Sequence, residues 1–489
     1  MIMSLKEDSS DDEDPKIEEE KWERFRQIAK DCEDNGKETE SSRKKQRVDQ
    51  VPFSSATESV FAESSSSPSS SKWNVIPVSG EIERPKELRI NEFVKEEEFI
   101  YFCHPDYDKA SLSKKTCMVG FDMDGCLIDT KSGRTFPTDY VTDWRLWHAT
   151  KVAAKLRDLH ESGAYLCIIS NQGGIDNGKV AWTEVEPKIR GILDTLGVPM
   201  DFICCHRKPS LYRKPSIGAW QLMQKHRCPS AIQGESSYVG DAAGRPARGG
   251  GRKKDFSDTD YKLALNLGIS FFTPERFFLD DRSPYHCNLP APAPFTKLST
   301  CSSSESSFEV EKILWPGGAG GAKEIVLLVA PAGTGKTTLA QMMQSRSPSG
   351  DECVVVNQDT LGTRPRCLAA AESAISMRRA HIIVDNTNLS PTIRAEWVQL
   401  ANRHGYKIRC IYLRTEREVA LTQVVYRLLS PDTPEADRRE ISAITLNSHY
   451  KNLFVPSASE GFSRVDEVPW SPRPPASSPA SLLFAMYLR

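Results

Sequence analysis

Two aspartates close the stretch MVGFDMD: Asp122 and Asp124 stand one residue apart, after an apolar run and before Gly125. Carboxylates held close repel unless a cation or a proton lies between them. A divalent ion and a phosphate ester give both groups a use. One carboxylate can attack phosphorus, and the other can protonate the leaving oxygen and then deprotonate water. Three more candidates each follow an apolar run. Ser170, closing YLCIIS, offers a hydroxyl to a phosphate oxygen. Lys214, in LYRKP, offers a cation to developing charge. Asp241, in YVGDAAG, offers an oxygen ligand suited to Mg²⁺. A lone D-x-D occurs in many surface turns, so phosphoryl chemistry is read here from the ordered set.

A second constellation lies in the far half of the chain. EIVLLV precedes Ala330-Pro331-Ala332-Gly333-Thr334-Gly335-Lys336-Thr337-Thr338, and a helical pattern follows. Glycines between a strand and a helix let backbone amides approach phosphate oxygens. Lys336 is placed to reach the outer phosphates of a nucleotide, and Thr337 to ligate Mg²⁺. Ala330 stands where the usual pattern has glycine, which is tolerable unless its φ must be positive. Asp359, after VVVNQ, can take a proton from an attacking hydroxyl, or can simply cap a loop. Asp385, after HIIV, can hold Mg²⁺ directly or through water, or can organise its own loop.

The elements that must position these groups are short buried strands alternating with helical patterns. CMVGFDMD, AYLCIIS, DFICC, SSYVGDA and GISFF read as strands of a first α/β region, and TDWRLWHATKVAAKLRDLHESG reads as a helix ending on a glycine. EIVLLVA, ECVVVNQD, AHIIVDN and YKIRCIYL read as strands of a second. Such alternation implies parallel sheets. The expected organisation is an acidic, serine-rich tail over residues 1–90, α/β domains over 91–285 and 323–489, and a linker over 286–322.

The formal net charge is −2, so any nucleic-acid partner must be met by local basic patches. RPARGGGRKK, from Arg245 to Lys254, is the leading patch, with Arg252 and Lys253 as candidate substrate contacts. The basic cluster Arg43 to Arg47 reads as a nuclear import signal, against the plainer reading of solvated charge. Thirteen scattered cysteines without a CxxC pair fit a reducing compartment. Cys204, Cys205 and His206 read as structural, not metal-binding. No segment has the roughly 20 apolar residues of a membrane span. Trp144 and Trp147 lie on the helical pattern; stacking on a base is one reading, and core packing is favoured for Trp147.

GFDMDGCLIDTKSGRTFP, SNQGGI, SLYRKPSIGAW and VGDAAGRPARGGGRKKDFSDTD resemble the haloacid-dehalogenase phosphatase superfamily and, more narrowly, the polynucleotide kinase 3′-phosphatases. NQDTLG and DNTN resemble the kinase half of the same family. The resemblance implies a haloacid-dehalogenase-like Rossmannoid phosphatase followed by a P-loop kinase. It implies Asp122 as nucleophile, Asp124 as acid and base, and Ser170 and Lys214 as phosphoryl ligands. Mg²⁺ would be held by Asp122, Asp241 and the Asp124 carbonyl, and Asp255 would stand behind them. Asp359 would be the base toward a 5′-hydroxyl, with Arg366 on substrate phosphate, Arg427 on the transferring group and ATP as donor. Cys126 stands where the superfamily usually has threonine, which would slacken the positioning of the acid. Animal members often carry a forkhead-associated domain where this chain has its polar tail. The implied substrate is DNA bearing 3′-phosphate and 5′-hydroxyl ends, processed in the nucleus by a monomer. Two alternatives stand beside it: RNA end healing, and a catalytically weakened scaffold that binds nucleic-acid ends. SDDED in the tail reads as a segment that docks strand-break repair proteins, against the plainer and favoured reading of a solubilising acidic tail.

Overall fold

The computed structural model describes residues 87–247, 253–281, 323–347, 352–376, 380–430, 432–434, 438–469, 483–484 and 486–488. The Arg43–Arg47 cluster, most of the serine-rich tail, the linker expected over 286–322 and Arg252 lie outside them. The chain divides into two compact units, residues 1–290 and 291–488.

The first unit is built on a seven-stranded sheet of order β1-β2-β7-β6-β3-β8-β9. Its strands are β1 (Phe93–Lys95), β2 (Phe99–Phe102), β3 (Met118–Phe121), β6 (Tyr165–Asn171), β7 (Asp201–Cys205), β8 (Ser237–Val239) and β9 (Ser270–Phe272). β3 lies at the centre, parallel to β6 and β8. All four of its residues are buried, as expected of a parallel strand covered on both faces. One core runs through Val119, Phe121, Ile168, Phe202 and Val239. Its longer helices are α1 (Ala149–Glu161), α2 (Trp182–Leu196), α3 (Gly218–Arg227), α4 (Thr259–Leu267) and α5 (Pro274–Leu279).

Two features depart from expectation. An antiparallel pair, β1 and β2, extends the sheet beyond β7. The strand FVK is too short to show periodicity, and the glutamates after it interrupt the apolar run. The helical pattern around Trp144 begins late: α1 starts at Ala149, where His148 Nδ1 accepts from the Lys151 amide. Before it, β5 (Arg145–Leu146) pairs with β4 (Ile128–Asp129) in a small flap. Trp144 and Trp147 both pack against the core from this flap, and the Trp144 indole N–H donates to the Val141 carbonyl at 2.9 Å. The Asp143 carboxylate gathers the flap, accepting from the backbone and hydroxyl of both Ser132 and Thr138. Cys204, Cys205 and His206 are buried at the end of β7 and belong to no metal-ligand cluster among the described residues.

The second unit has a five-stranded, wholly parallel sheet of order β11-β12-β10-β13-β14. Its strands are β10 (Glu324–Val329), β11 (Glu352–Val356), β12 (Ala380–Val384), β13 (Lys407–Arg414) and β14 (Arg464–Pro469). Its helices include α6 (Lys336–Ser345), α7 (Arg364–Ser376), α8 (Pro391–His404), α9 (Arg417–Leu429) and α10 (Ala443–Lys451). β14 was not expected, because RVDEVP is half charged. It is an edge strand, and its Asp466 lies 3.5 Å from Arg409, a buried arginine of β13 that also pairs with Glu324 at 2.8 Å. No described helix is long and apolar enough to cross a membrane.

Candidate active sites

The carboxyl ends of β3, β6 and β8 converge in the first unit. β3 ends at Phe121, so Asp122 and Asp124 sit in the turn beyond it. The Asp122 amide donates to the Val239 carbonyl at 2.8 Å, tying the turn to β8. Ligand oxygens of Asp122, Asp241 and Asp260 all lie within 4.8 Å of one another. Gly125 permits this approach. Its φ is +82°, and a Cβ there would stand 2.6 Å from an Asp241 oxygen. Lys214 reaches the cluster from the loop after β7, with Nζ 2.6 Å from Asp122 and 2.8 Å from Asp260. It also donates to the Tyr238 hydroxyl at 2.8 Å.

The electrostatics favour a divalent cation. Three carboxylates face one ammonium, which leaves a surplus of two negative charges. Desolvation, the like charge of Asp260 and that of Asp124 raise Asp122 to about 7, against the pull of Lys214. Desolvation and its acidic neighbours raise Asp241 to about 8. Desolvation would lower Lys214, but Asp122 and Asp260 carry it above its usual value. The cluster is therefore poorly balanced alone, and the all-oxygen donor set suits Mg²⁺.

The Asp124 carboxylate lies outside this cluster. Alternation along a continued strand would have aimed both aspartates the same way, but the turn separates them. The Asp124 side chain is 52% exposed, with Lys188 Nζ 3.0 Å from one oxygen and Gln172 Nε2 2.7 Å from the other. Gln172 also donates to the Ser170 hydroxyl at 3.0 Å. The Asp124 carboxylate is thus held by Lys188 and Gln172, apart from the oxygens of Asp122, Asp241 and Asp260. Cys126 is fully buried and donates to the Val239 carbonyl at 3.4 Å, so the thiol still ties the turn to β8. Asp255 does not touch the cluster. It accepts from the Arg245 backbone at 2.9 Å and from its guanidinium at 2.8 Å. That pairing buries Arg245, which leaves the expected basic patch; of that patch Lys253 and Lys254 are exposed.

In the second unit, the loop after β10 turns into α6. Ala330 is buried, and it is not among the described residues with positive φ, so alanine is unstrained there. Gly333, with φ +75°, lies against α9: a Cβ would come 2.6 Å from the Ala420 carbonyl oxygen. Lys336 Nζ donates to the Pro331 carbonyl at 2.5 Å. Burial lowers Lys336 to about 8, opposed by Asp385 and assisted by Arg427, whose charge therefore acts on the same site. The Thr337 hydroxyl and the Asn357 amide both donate to Asp385 at 2.8 Å. Asp359 stands exposed on the helical turn Gln358–Leu361, 3.3 Å from Arg439. Arg366 is exposed at the start of α7.

A family model described as polynucleotide kinase 3 phosphatase matches residues 117–278, and an AAA domain model matches residues 325–447. A bifunctional polynucleotide phosphatase/kinase of Schizosaccharomyces pombe is 35% identical over 364 residues, covering 74% of this chain and 82% of that protein. The chain belongs to the bifunctional polynucleotide phosphatase/kinase family. A putative member from Acanthamoeba polyphaga mimivirus is 30% identical, covering 74% of this chain and 86% of its own. A polynucleotide 3′-phosphatase of Arabidopsis thaliana is 38% identical over 177 residues, with 24% of its length covered. As a phosphatase/kinase, the chain is an enzyme with a phosphatase unit and a kinase unit.

Sequence reasoning missed Asp260, Lys188, Tyr238 and His449. Asp260 reads as an acid in the first turn of α4. Lys188 carries a visible signal, a charge within the apolar stripe of Val185, Ile189 and Ile192. His449, on α10, accepts from the Ala332 amide through Nδ1 at 3.4 Å, and nothing in its local pattern marks it.

Proposed function

We propose that this enzyme repairs DNA strand-break ends, removing 3′-phosphate in the first unit and phosphorylating 5′-hydroxyl in the second. The observation that carries this reading is the union in one chain of the Asp122–Asp241–Asp260–Lys214 cluster with the loop that holds Lys336.

In the first reaction Asp122 attacks phosphorus. The bond from phosphorus to the sugar oxygen breaks, and Asp124 donates a proton to that oxygen. An aspartyl phosphate results. Asp124, now a base, deprotonates water, which attacks the intermediate and releases inorganic phosphate. Lys214 neutralises and orients Asp122, and Ser170 steadies the phosphoryl oxygens. Mg²⁺ would be held by Asp122, Asp241 and the Asp124 carbonyl, and supplies the charge that lets a carboxylate approach an anionic ester.

In the second reaction Asp359 takes the proton of the 5′-hydroxyl, whose oxygen attacks the γ-phosphorus of ATP. The bond to ADP breaks as the new ester forms. Loop amides, Lys336 and Arg427 hold the charge on the phosphoryl oxygens. Arg366 meets the substrate phosphate, and Thr337 with Asp385 would hold a second Mg²⁺. A nuclear location rests on the Arg43–Arg47 cluster and is tested by moving that cluster onto a reporter protein.

The test is a nicked duplex with 3′-phosphate and 5′-hydroxyl. Release of phosphate without ATP, and 5′-transfer only with ATP, is expected. An RNA strand of the same sequence should turn over more slowly on both counts. Absence of either product, or preference for RNA, overturns the reading.

A further inference from the structure

Among the described residues the Lys336 ammonium has one hydrogen-bond acceptor, the Pro331 carbonyl, at 2.5 Å. The amide of that same peptide unit, the Ala332 N–H, donates to His449 Nδ1 at 3.4 Å. One peptide therefore carries the lysine on its oxygen and the histidine on its nitrogen. The ring of Pro331 fixes its own φ, so the tilt of this peptide is left to ψ of Pro331 and φ of Ala332. His449 reaches it from the last turn of α10, and α10 is itself held. Arg417 Nε donates to the Asn447 side chain at 2.6 Å, and the Tyr450 hydroxyl donates to the Thr415 carbonyl at 2.9 Å. Leu446 packs with Ala420 and Leu421 of α9, and Ala332 and Tyr450 lie against them. Desolvation and the charge of Lys336 hold His449 below its ordinary pKa, which keeps Nδ1 unprotonated and able to accept.

We propose that His449 is a positioning residue of the kinase unit: by accepting from the Ala332 amide it fixes the tilt of the Pro331–Ala332 peptide, whose carbonyl keeps Lys336 aimed at the terminal phosphate of the nucleotide. A peptide unit is planar, so its N–H and C=O turn together. If the amide is released, the carbonyl swings with it, and a buried ammonium loses its acceptor. Amides later in the loop hold the inner phosphates with or without His449, so the loss falls on the terminal one. The inference rests on the kinase reading above and adds what keeps its lysine in place.

The test uses the full chain and two variants that part hydrogen bonding from packing. H449F fills the space without an acceptor, and H449N places an amide oxygen near the position of Nδ1. Calorimetry reads the dissociation constants of ADP and of the β,γ-imido analogue of ATP. Steady-state kinetics reads kcat/KM for ATP on a 5′-hydroxyl oligonucleotide. H449F should weaken the imido analogue about fivefold relative to ADP, the size of one hydrogen bond. It should lower kcat/KM by about tenfold or more, because a misdirected ammonium is felt most in the transition state. H449N should recover most of both. ADP affinity, phosphatase kinetics and the unfolding temperature should hold in both variants. H449F equal to the unmodified chain, or H449N as impaired as H449F, overturns the inference. Equal weakening of ADP and the imido analogue overturns it too, since His449 would then support the whole loop and not the lysine. Failure of the unmodified chain to transfer phosphate from ATP to any 5′-hydroxyl strand overturns the functional reading instead.

Discussion

Lys214 donates to Asp122 and Tyr238 and lies 2.8 Å from an Asp260 oxygen as an ion pair, so its direction is fixed before any phosphate arrives. Asp260 is fully buried, and its second oxygen accepts from the Ala242 amide at 3.1 Å. D260N keeps the shape and removes the charge that orients the lysine. It should lower phosphatase kcat by roughly 10- to 100-fold with little change in KM, the usual effect of losing a group that orients a reacting one. Steady-state kinetics on a 3′-phosphorylated oligonucleotide reads this, and an unchanged kcat would reduce Asp260 to packing. D122N should lower phosphatase turnover by about 10³-fold or more while kinase turnover persists, and K336A should do the reverse. Equal loss of both activities in either variant would contradict separate sites. Asp122, Ser170 and Asp241 were legible because each follows an apolar run, so local pattern puts them near strand ends; Lys214 stands in the loop well past β7, and only its motif LYRKP singled it out. Asp260, Lys188 and His449 sit on helices where a cap, a charge or a polar face is unremarkable. Their partners Lys214, Asp124 and Ala332 are 46, 64 and 117 positions away and meet them only through the folded sheet.

At the scale of elements, the parallel strands were legible because burial on both faces leaves continuous apolar runs. β1, β2 and β14 were not, since edge strands tolerate charge and shortness. The flap was misread as helix because Trp144, Trp147 and the residues of α1 share one run of helix-compatible spacing; Asp143 decides the matter through contacts that spacing does not encode. Hydrogen bonds from Thr138 and Ser132 hold the Asp143 carboxyl well below the usual carboxylate range. A carboxylate depressed in the folded state stabilises it above the unfolded pKa and loses that contribution as pH falls. The flap should therefore loosen progressively below about pH 4. Proteolysis of residues 130–146 should rise on acidification in the unmodified protein, and D143N should show the looser behaviour already at neutral pH. The phosphate loop makes a second prediction at this scale. G333A combines a left-handed backbone, costing about 1–2 kcal/mol, with a Cβ 2.6 Å from the Ala420 carbonyl. The loop must shift from α9, and kcat/KM for ATP should fall at least about tenfold while phosphatase kinetics hold.

At the scale of the molecule, the two units solve opposite charge problems. The first sets three carboxylates against one ammonium, and the second brings the charge of Arg427 to bear on Lys336 beside the glycine-rich loop. Their responses to ligands should differ accordingly. In the first unit the surplus of negative charge opposes folding, because burial and the charge of Asp260 raise Asp122 to about 7, and burial with the charges of Asp122 and Asp260 raises Asp241 to about 8. A cation that binds only the folded unit stabilises it by mass action, about 2.7 kcal/mol at a concentration 100 times its dissociation constant. Chelation should then lower the unfolding temperature of the first unit by several degrees, while the second unit, without nucleotide, should barely move. D241N separates repulsion from ligation. With one carboxylate fewer, the chelated protein should be at least as stable as the unmodified chelated protein, yet Mg²⁺ should stabilise it much less. Calorimetry of both proteins with and without chelator reads the two effects together. If D241N retains the full Mg²⁺-dependent shift, the cluster of Asp122, Asp241 and Asp260 is not where the ion acts, and the carboxylates must be balanced by protons instead.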